Sequence, residues 1–197
     1  MSKVKEKQNR RRVEILEKVI PILSEESFDD LSVSEICARI GISVGSFYHY
    51  FTKKTDLLGG FMVLIDDDIE RKVVPLLTSE DEIENLRRFA HGWAEYVAEH
   101  GIERSKLISA IDPDGNGISE TDRISLEVLR EHIGRGQDRG QITREQDAEE
   151  LASMFLLALR GVTVDWSRRG GSYAVTEKMD AVIGFYLRAF RACGCFS

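Results

Sequence analysis

Apolar residues recur three and four positions apart along most of the chain, the spacing that gathers them on one face of a helix. Val13, Leu16, Val19, Ile20 and Leu23 predict a first helix over 10–24. Pro21 inside it deletes an intrahelical hydrogen bond, so a kink or a shortened last turn is expected there. Residues 24–30 are polar and read as a turn. Ser32-Val33-Ser34-Glu35 has the spacing of a capping box, with a serine hydroxyl and a glutamate three residues on serving each other's backbone amides. It predicts a second helix to about Ile40 that buries Val33, Ile36 and Cys37 or Ile40. Gly41-Ile42-Ser43 ends it: the glycine can turn left-handed, and the serine can cap a successor. A short third helix follows from Val44 to about Phe51. A fourth opens at Thr52-Lys53-Lys54 and runs towards Leu77, locally weakened by Gly59-Gly60.

Beyond residue 80 the same period continues. Ile83, Leu86, Ala90, Trp93 and Val97 line a helix over 80–100, widened by Phe89 and Tyr96. Short helices are expected over 103–111 and 120–134, the latter through Leu126, Leu129 and Ile133. Breaks fall at 112–117 and at Gly136–Gly140. The last two helices, 146–166 and 176–191, are apolar almost all round, and such helices are buried on every side. One side would pack on the chain's own core and another on a partner. The pattern predicts an all-α fold of about nine helices with no convincing strand. It divides into a three-helix N-terminal domain over 1–54 and a helical C-terminal domain over 55–197.

Charge sharpens this division. The chain carries a net −7, which by itself speaks against nucleic acid. Yet residues 1–58 hold ten Lys/Arg against nine Asp/Glu, and Lys3, Lys5, Lys7, Arg10, Arg11 and Arg12 face only Glu6 among the first twelve. A basic arm on a near-neutral domain, carried by an acidic body, lets one end approach phosphates. No signal peptide is apparent, and the longest apolar stretch, 151–164, is interrupted and too short to span a membrane. Three cysteines form no disulfide framework, which fits a reducing cytoplasm, and Cys37 reads as a small buried residue.

Two short helices joined by Gly41-Ile42-Ser43 form a helix-turn-helix. On the second, Phe47 and Phe51 sit together with Val44 beside them and hold the helix to its domain. Gly45, Ser46 and His49 point away, with Tyr48 at the border. That outward face is small, polar and uncharged, suited to a major groove. Tyr48 and His49 can donate to phosphates, and Lys54 can add a cation.

These residues resemble the tetracycline-repressor family of bacterial regulators. The likeness runs through Ile15-Leu16, Phe28, Ser32-Val33, Ile36-Cys37-Ala38, Ile40-Gly41-Ile42-Ser43, Gly45-Ser46-Phe47-Tyr48, Tyr50-Phe51, Lys54 and Leu57-Leu58. It covers about residues 10–58. Cys37, Ile40, Ser27, Lys18 and Pro21 depart from the family's usual residues. The resemblance implies that Ser43, Tyr48, His49 and Lys54 hold phosphates and that Val44, Gly45 and Ser46 meet base edges. A weaker likeness lies in Gly136-Gln137-Asp138-Arg139-Gly140, Arg160-Gly161 and Trp166. It implies a homodimer through the last two helices, with Leu157, Gly161, Val164, Val182, Phe185 and Tyr186 at the interface. The middle helices would then enclose an effector, with Phe61, Ile65, Phe89, Trp93, Tyr96, Leu107, Leu126, Leu129 and Ile133 around an apolar, aromatic-containing small molecule. The expected protein is a cytoplasmic repressor, not an enzyme, that needs no cofactor or metal. Its partners are operator DNA, a second copy of itself and the effector. A DNA-binding regulator controlled by a protein partner, and a helical enzyme or scaffold with a structural helix-turn-helix, are the alternatives.

Other motifs carry less. Residues 112–117, Asp-Pro-Asp-Gly-Asn-Gly, begin like a calcium loop, but the twelfth position is Arg123 where a carboxylate is required. Cys193 and Cys195 match no usual zinc spacing. Asp66-Asp67-Asp68 reads as a solvated helix face.

Overall fold

The computed structural model describes residues 3–26, 28, 30–110 and 123–192. Eight α-helices follow one another: α1 (Lys3–Glu25), α2 (Val33–Ile40), α3 (Val44–Tyr50), α4 (Asp56–Lys72), α5 (Glu82–Ala110), α6 (Arg123–Asp138), α7 (Ala148–Arg168) and α8 (Val175–Phe190), with a 3₁₀ turn at Val74–Leu76. The all-helical expectation holds. Among the described residues the β structure amounts to one isolated bridge, Ile142 to Arg191.

Several boundaries differ from expectation for identifiable reasons. Helix α1 starts at Lys3, because the basic stretch is built of straight-chain residues that favour helix. It also runs through Pro21 to Glu25 without stopping. Pro21 is exposed, so the carbonyl it leaves unpaired can turn to water. The two helices expected over 80–100 and 103–111 are limbs of one element, α5. They meet at Gly101, whose φ of 76° and ψ of −175° only glycine adopts readily. Helix α6 passes through Gly134 and Gly136 instead of breaking there. At Gly136 a Cβ would lie 2.5 Å from Ile142 Cδ1, so the glycine serves close packing. The suspected calcium loop and both C-terminal cysteines lie outside the described residues.

Two apolar cores divide the chain. Ile15, Leu16 and Val19 of α1, Ile36, Cys37 and Ile40 of α2, Phe47 of α3 and Leu57, Phe61 and Leu64 of α4 close the first. Ile65 and Ile69 of α4 join α5, α6, α7 and α8 in the second. Helix α4 is therefore one beam shared by both. The expected boundary after residue 54 marks where α4 approaches its start, while burial carries the first core on to Leu64. Gly60 is where α1 crosses this beam, since a Cβ there would sit 2.8 Å from Leu16 Cδ1.

Candidate nucleic-acid interface

The local chemistry of the first core builds the reading unit. The Ser32 amide donates to Glu35 Oε2 at 2.8 Å, and the Glu35 amide donates to Ser32 Oγ at 3.2 Å, so the capping box forms as expected. Hydrogen bonds from Ser32 hold the Glu35 carboxyl below its usual range. Gly41 closes α2 in the left-handed conformation, φ 73°. Ser43 then caps α3 by accepting from the Ser46 amide at 3.0 Å, and the two serine hydroxyls lie 2.9 Å apart.

Helix α3 has only seven residues and cannot stand alone in water. Phe47 is fully buried and its ring lies 5.2 Å from that of Phe51. Burying each of these rings contributes about 1.5–3 kcal/mol, and that is what holds the helix to its domain. Ser43, Val44, Gly45, Ser46, Tyr48 and His49 are all exposed. Val44 is 38% and Tyr48 54% exposed, high for large apolar side chains. An uncharged, small-sided face projects from the surface, as a groove-reading helix requires.

Lys54 does not join that face. Its ammonium donates to the carbonyls of Phe28 at 2.7 Å and Leu31 at 2.9 Å and lies 4.5 Å from the centre of the Phe28 ring. Without DNA present, the ammonium expected to hold a phosphate is engaged by these carbonyls. A flexible amine finds backbone carbonyls of the α1–α2 connection within reach, and ties that connection to the start of α4. Asp56 organises the same turn by accepting from the amides of Thr52 and Lys53 at 2.7 and 3.0 Å. Cys37 is buried, as read, and burial pushes its thiol pKa up.

In the second core Ile65, Phe89, Trp93, Tyr96, Leu129 and Ile133 come together, with Leu126 packed against them. Phe61 does not: it belongs to the first core, because it lies one turn nearer the N-terminus on α4. The Leu107 side chain lies outside the described residues. Trp93 is buried and its indole donates to Thr163 Oγ1 at 3.1 Å. Asp66 is buried rather than solvated, 3.5 Å from the Ser125 hydroxyl. Two surface clefts lie elsewhere. One of about 590 Å³ involves Pro75, Leu76, Arg87, Arg88, His91 and Asp180. The other, about 410 Å³, is lined by Leu157, Gly161, Val162, Val182 and Tyr186 among others. Leu157 is 58% exposed, and Phe185 of α8 is 69% exposed. Of the residues expected at a dimer interface, Leu157, Gly161, Val182 and Tyr186 line this second cleft, and Val164 is half-buried.

Periodicity gave no hint of the charged knot where α5, α6 and the α6–α7 connection meet. The Glu82 carboxylate is buried. It accepts from His132 Nδ1 at 2.7 Å, Asn85 Nδ2 at 2.8 Å, Arg139 Nη1 at 2.9 Å and Arg135 Nε at 3.1 Å. The one signal nearby was Gly136-Gln137-x-x-Gly140. Gln137 Nε2 donates to the carbonyls of Thr143 and Gln146, both at 2.8 Å, so that motif shapes the connection.

The family described as bacterial regulatory proteins, tetR family, matches residues 15–60. That span begins in α1 and ends in α4, with α2 and α3 whole inside it. The HTH-type transcriptional repressor AcnR of Corynebacterium jeikeium is 25% identical over 179 residues, 87% of this chain and 89% of that protein. The transcriptional regulator FadR of Bacillus subtilis, solved with stearoyl-CoA, shares the fold with a TM-score of 0.73 at 17% identity, covering 91% of this chain and 99% of that one. AibR, solved with isovaleryl coenzyme A and operator DNA, does so with a TM-score of 0.65 at 19% identity, covering 94% and 100%. Over residues 15–60, with its capped and exposed third helix, the chain matches the DNA-binding unit of the tetR family, and over most of its length it is similar to transcriptional regulators.

Proposed function

We propose that the chain is a homodimeric repressor of the cytoplasm that leaves its operator when a small apolar effector enters the core between α4, α5 and α6. The observation that carries this reading is the sharing of α4: one helix packs Phe61 and Leu64 under the reading unit and Ile65 and Ile69 in the second core. A molecule that favours one position of α4 over another changes the placement of α3, and a preference of about 1–3 kcal/mol shifts DNA affinity 5- to 150-fold. FadR and AibR, with acyl-CoA compounds in their structures, make an acyl thioester a sensible first probe. A second copy seated on the exposed side of α7 and α8 covers Leu157 and Phe185 and sets two reading helices one helical turn of DNA apart. No described helix is long and apolar enough to cross a membrane.

The test is anisotropy of a labelled duplex taken from upstream of the chain's own gene, with and without stearoyl-CoA or isovaleryl-CoA, while the emission of Trp93 and Trp166 together is followed. Weaker DNA binding together with a change in tryptophan emission is expected. DNA binding that neither thioester alters removes acyl thioesters as effectors and leaves the regulator itself standing. A monomer by sedimentation at micromolar concentration overturns the dimer.

A further inference from the structure

With Lys54 turned inward, the exposed face of α3 carries no fixed positive charge. Ser43, Val44, Gly45, Ser46, Tyr48 and His49 are all it presents. DNA affinity nevertheless rests largely on cations that neutralise phosphates, so a neighbouring element must supply them. Arg39 on α2 is paired with Glu26, and Arg11 on α1 is paired with Glu14 at 2.6 Å. Arg12 is placed differently. It is exposed on α1, takes part in no ion pair among the described residues, and its guanidinium lies over the ring of Phe51, 5.1 Å from the centroid.

Phe51 is the residue that caps α3, its amide donating to the Phe47 carbonyl. Its ring packs on Phe47, and the Phe47 ring meets Tyr48 edge-on at 5.4 Å. Arg12 is therefore seated on the aromatic stack that carries the reading helix. The seat matters chemically. A cation over a ring is held by the ring's electrons and not by hydrogen-bond acceptors, which leaves its N–H donors for the two-pronged recognition of a phosphate.

We propose that Arg12 is a DNA-backbone contact, positioned by Phe51 to grip a phosphate beside the groove that α3 enters. This rests on α3 being the reading helix. A phosphate contact acts on every sequence, so the test needs no known operator. Parent, Arg12→Leu, Arg12→Gln and Arg12→Lys are titrated with a random-sequence duplex and with the upstream duplex across a salt series. Because Arg12 is exposed, all three variants are expected to melt like the parent. Arg12→Leu keeps an apolar contact on Phe51 yet should lose affinity on the order of ten-fold at low salt, equally on both duplexes. The slope of log affinity against log salt should fall by about 0.9 for each half-site. Arg12→Lys, which keeps the charge, should keep the slope. A parental slope in folded Arg12→Leu or Arg12→Gln overturns the proposal and makes Arg12 a packing residue. A parent that binds neither duplex at any salt would instead sink the reading of α3 itself.

Discussion

Leu64 and Ile65 are consecutive on α4, yet they close different cores. On the N-terminal side the structure is written in short-range chemistry. A capping box, a left-handed glycine and a capping serine set α2 and α3 within a dozen residues. On the C-terminal side little is local. Helices α5 to α8 are amphipathic or apolar, and which faces meet depends on residues 50 to 90 positions apart, such as His132 with Glu82 or His91 with Asp180. The comparison teaches that function was readable where geometry is decided by neighbours in sequence, and only the element types were readable where it is decided by neighbours in space.

The largest expected effect tests the seam between the two regions. Phe61→Ala removes a buried ring from the first core, and such truncations cost about 3–5 kcal/mol. Urea unfolding should show this loss, and DNA binding should fail with it. If Phe61→Ala leaves stability within about 1 kcal/mol of the parent while altering effector response, the ring belongs to the second region after all.

Next is Gly45→Val, which leaves both cores alone. A Cβ at Gly45 meets only Ser43 Oγ, at 3.9 Å, so nothing in the fold opposes it. Docked in a groove, the branched side chain would hold α3 away from the bases. At the roughly 1–3 kcal/mol that one mismatched position costs, two half-sites compound to on the order of 100-fold. A folded Gly45→Val with parental affinity would show that this face does not read DNA.

Lys54→Ala comes third. Charged hydrogen bonds contribute about 1.5–3 kcal/mol each at most, and partial exposure reduces that. A stability loss of about 1–2 kcal/mol is expected, with the salt slope of DNA binding unchanged. A changed slope at unchanged stability would return Lys54 to the phosphate role that resemblance implied.

What the sequence hid follows the same line. The capped turn, the buried Phe47 and Phe51 and the exposed Ser43–Ser46 stretch were legible, because each depends on residues at most four apart. The inward contacts of Lys54 were hidden because its partners, the carbonyls of Phe28 and Leu31, are backbone atoms of a connection that no pattern positions. That Phe61 packs in the first core was hidden because a helix wedged between two cores is apolar on more than one side, so periodicity cannot say which core owns a residue. Asp66 reads as solvent-facing beside Asp67 and Asp68, yet one step round the helix turns it inward towards Ser125. Only Gly136-Gln137-x-x-Gly140 marked the connection beside Glu82, and it did so without naming the carboxylate.

The smallest expected effect belongs to the C-terminal region and appears only in acid. Burial alone would raise the Glu82 pKa. Hydrogen bonds from Asn85 and His132, with the charge of Arg135, overcome it and hold the carboxyl below its ordinary 4.5. A carboxyl with a lowered folded-state pKa binds fewer protons folded than unfolded, so its contribution to stability grows with pH. That contribution is complete above the unfolded value of 4.5 and fades as the pH falls through the lower folded value. The groups facing Glu82 are His132, Arg135 and Arg139, with Asn85 and Gln141 as neutral donors and acceptors around it. Removing the carboxylate leaves the two arginines without their shared partner, so Glu82→Gln should be less stable than the parent at neutral pH. Urea midpoints of parent and Glu82→Gln, measured from neutral pH downward, should stay a constant distance apart until the acid limb. There the parent loses its advantage and the two curves converge. Curves that run parallel to the lowest pH at which both still fold would mean that the knot holds α5 to α6 by packing and neutral hydrogen bonds, not by the ionised carboxylate. DNA affinity, set in the other region, should not differ between the two proteins at neutral pH.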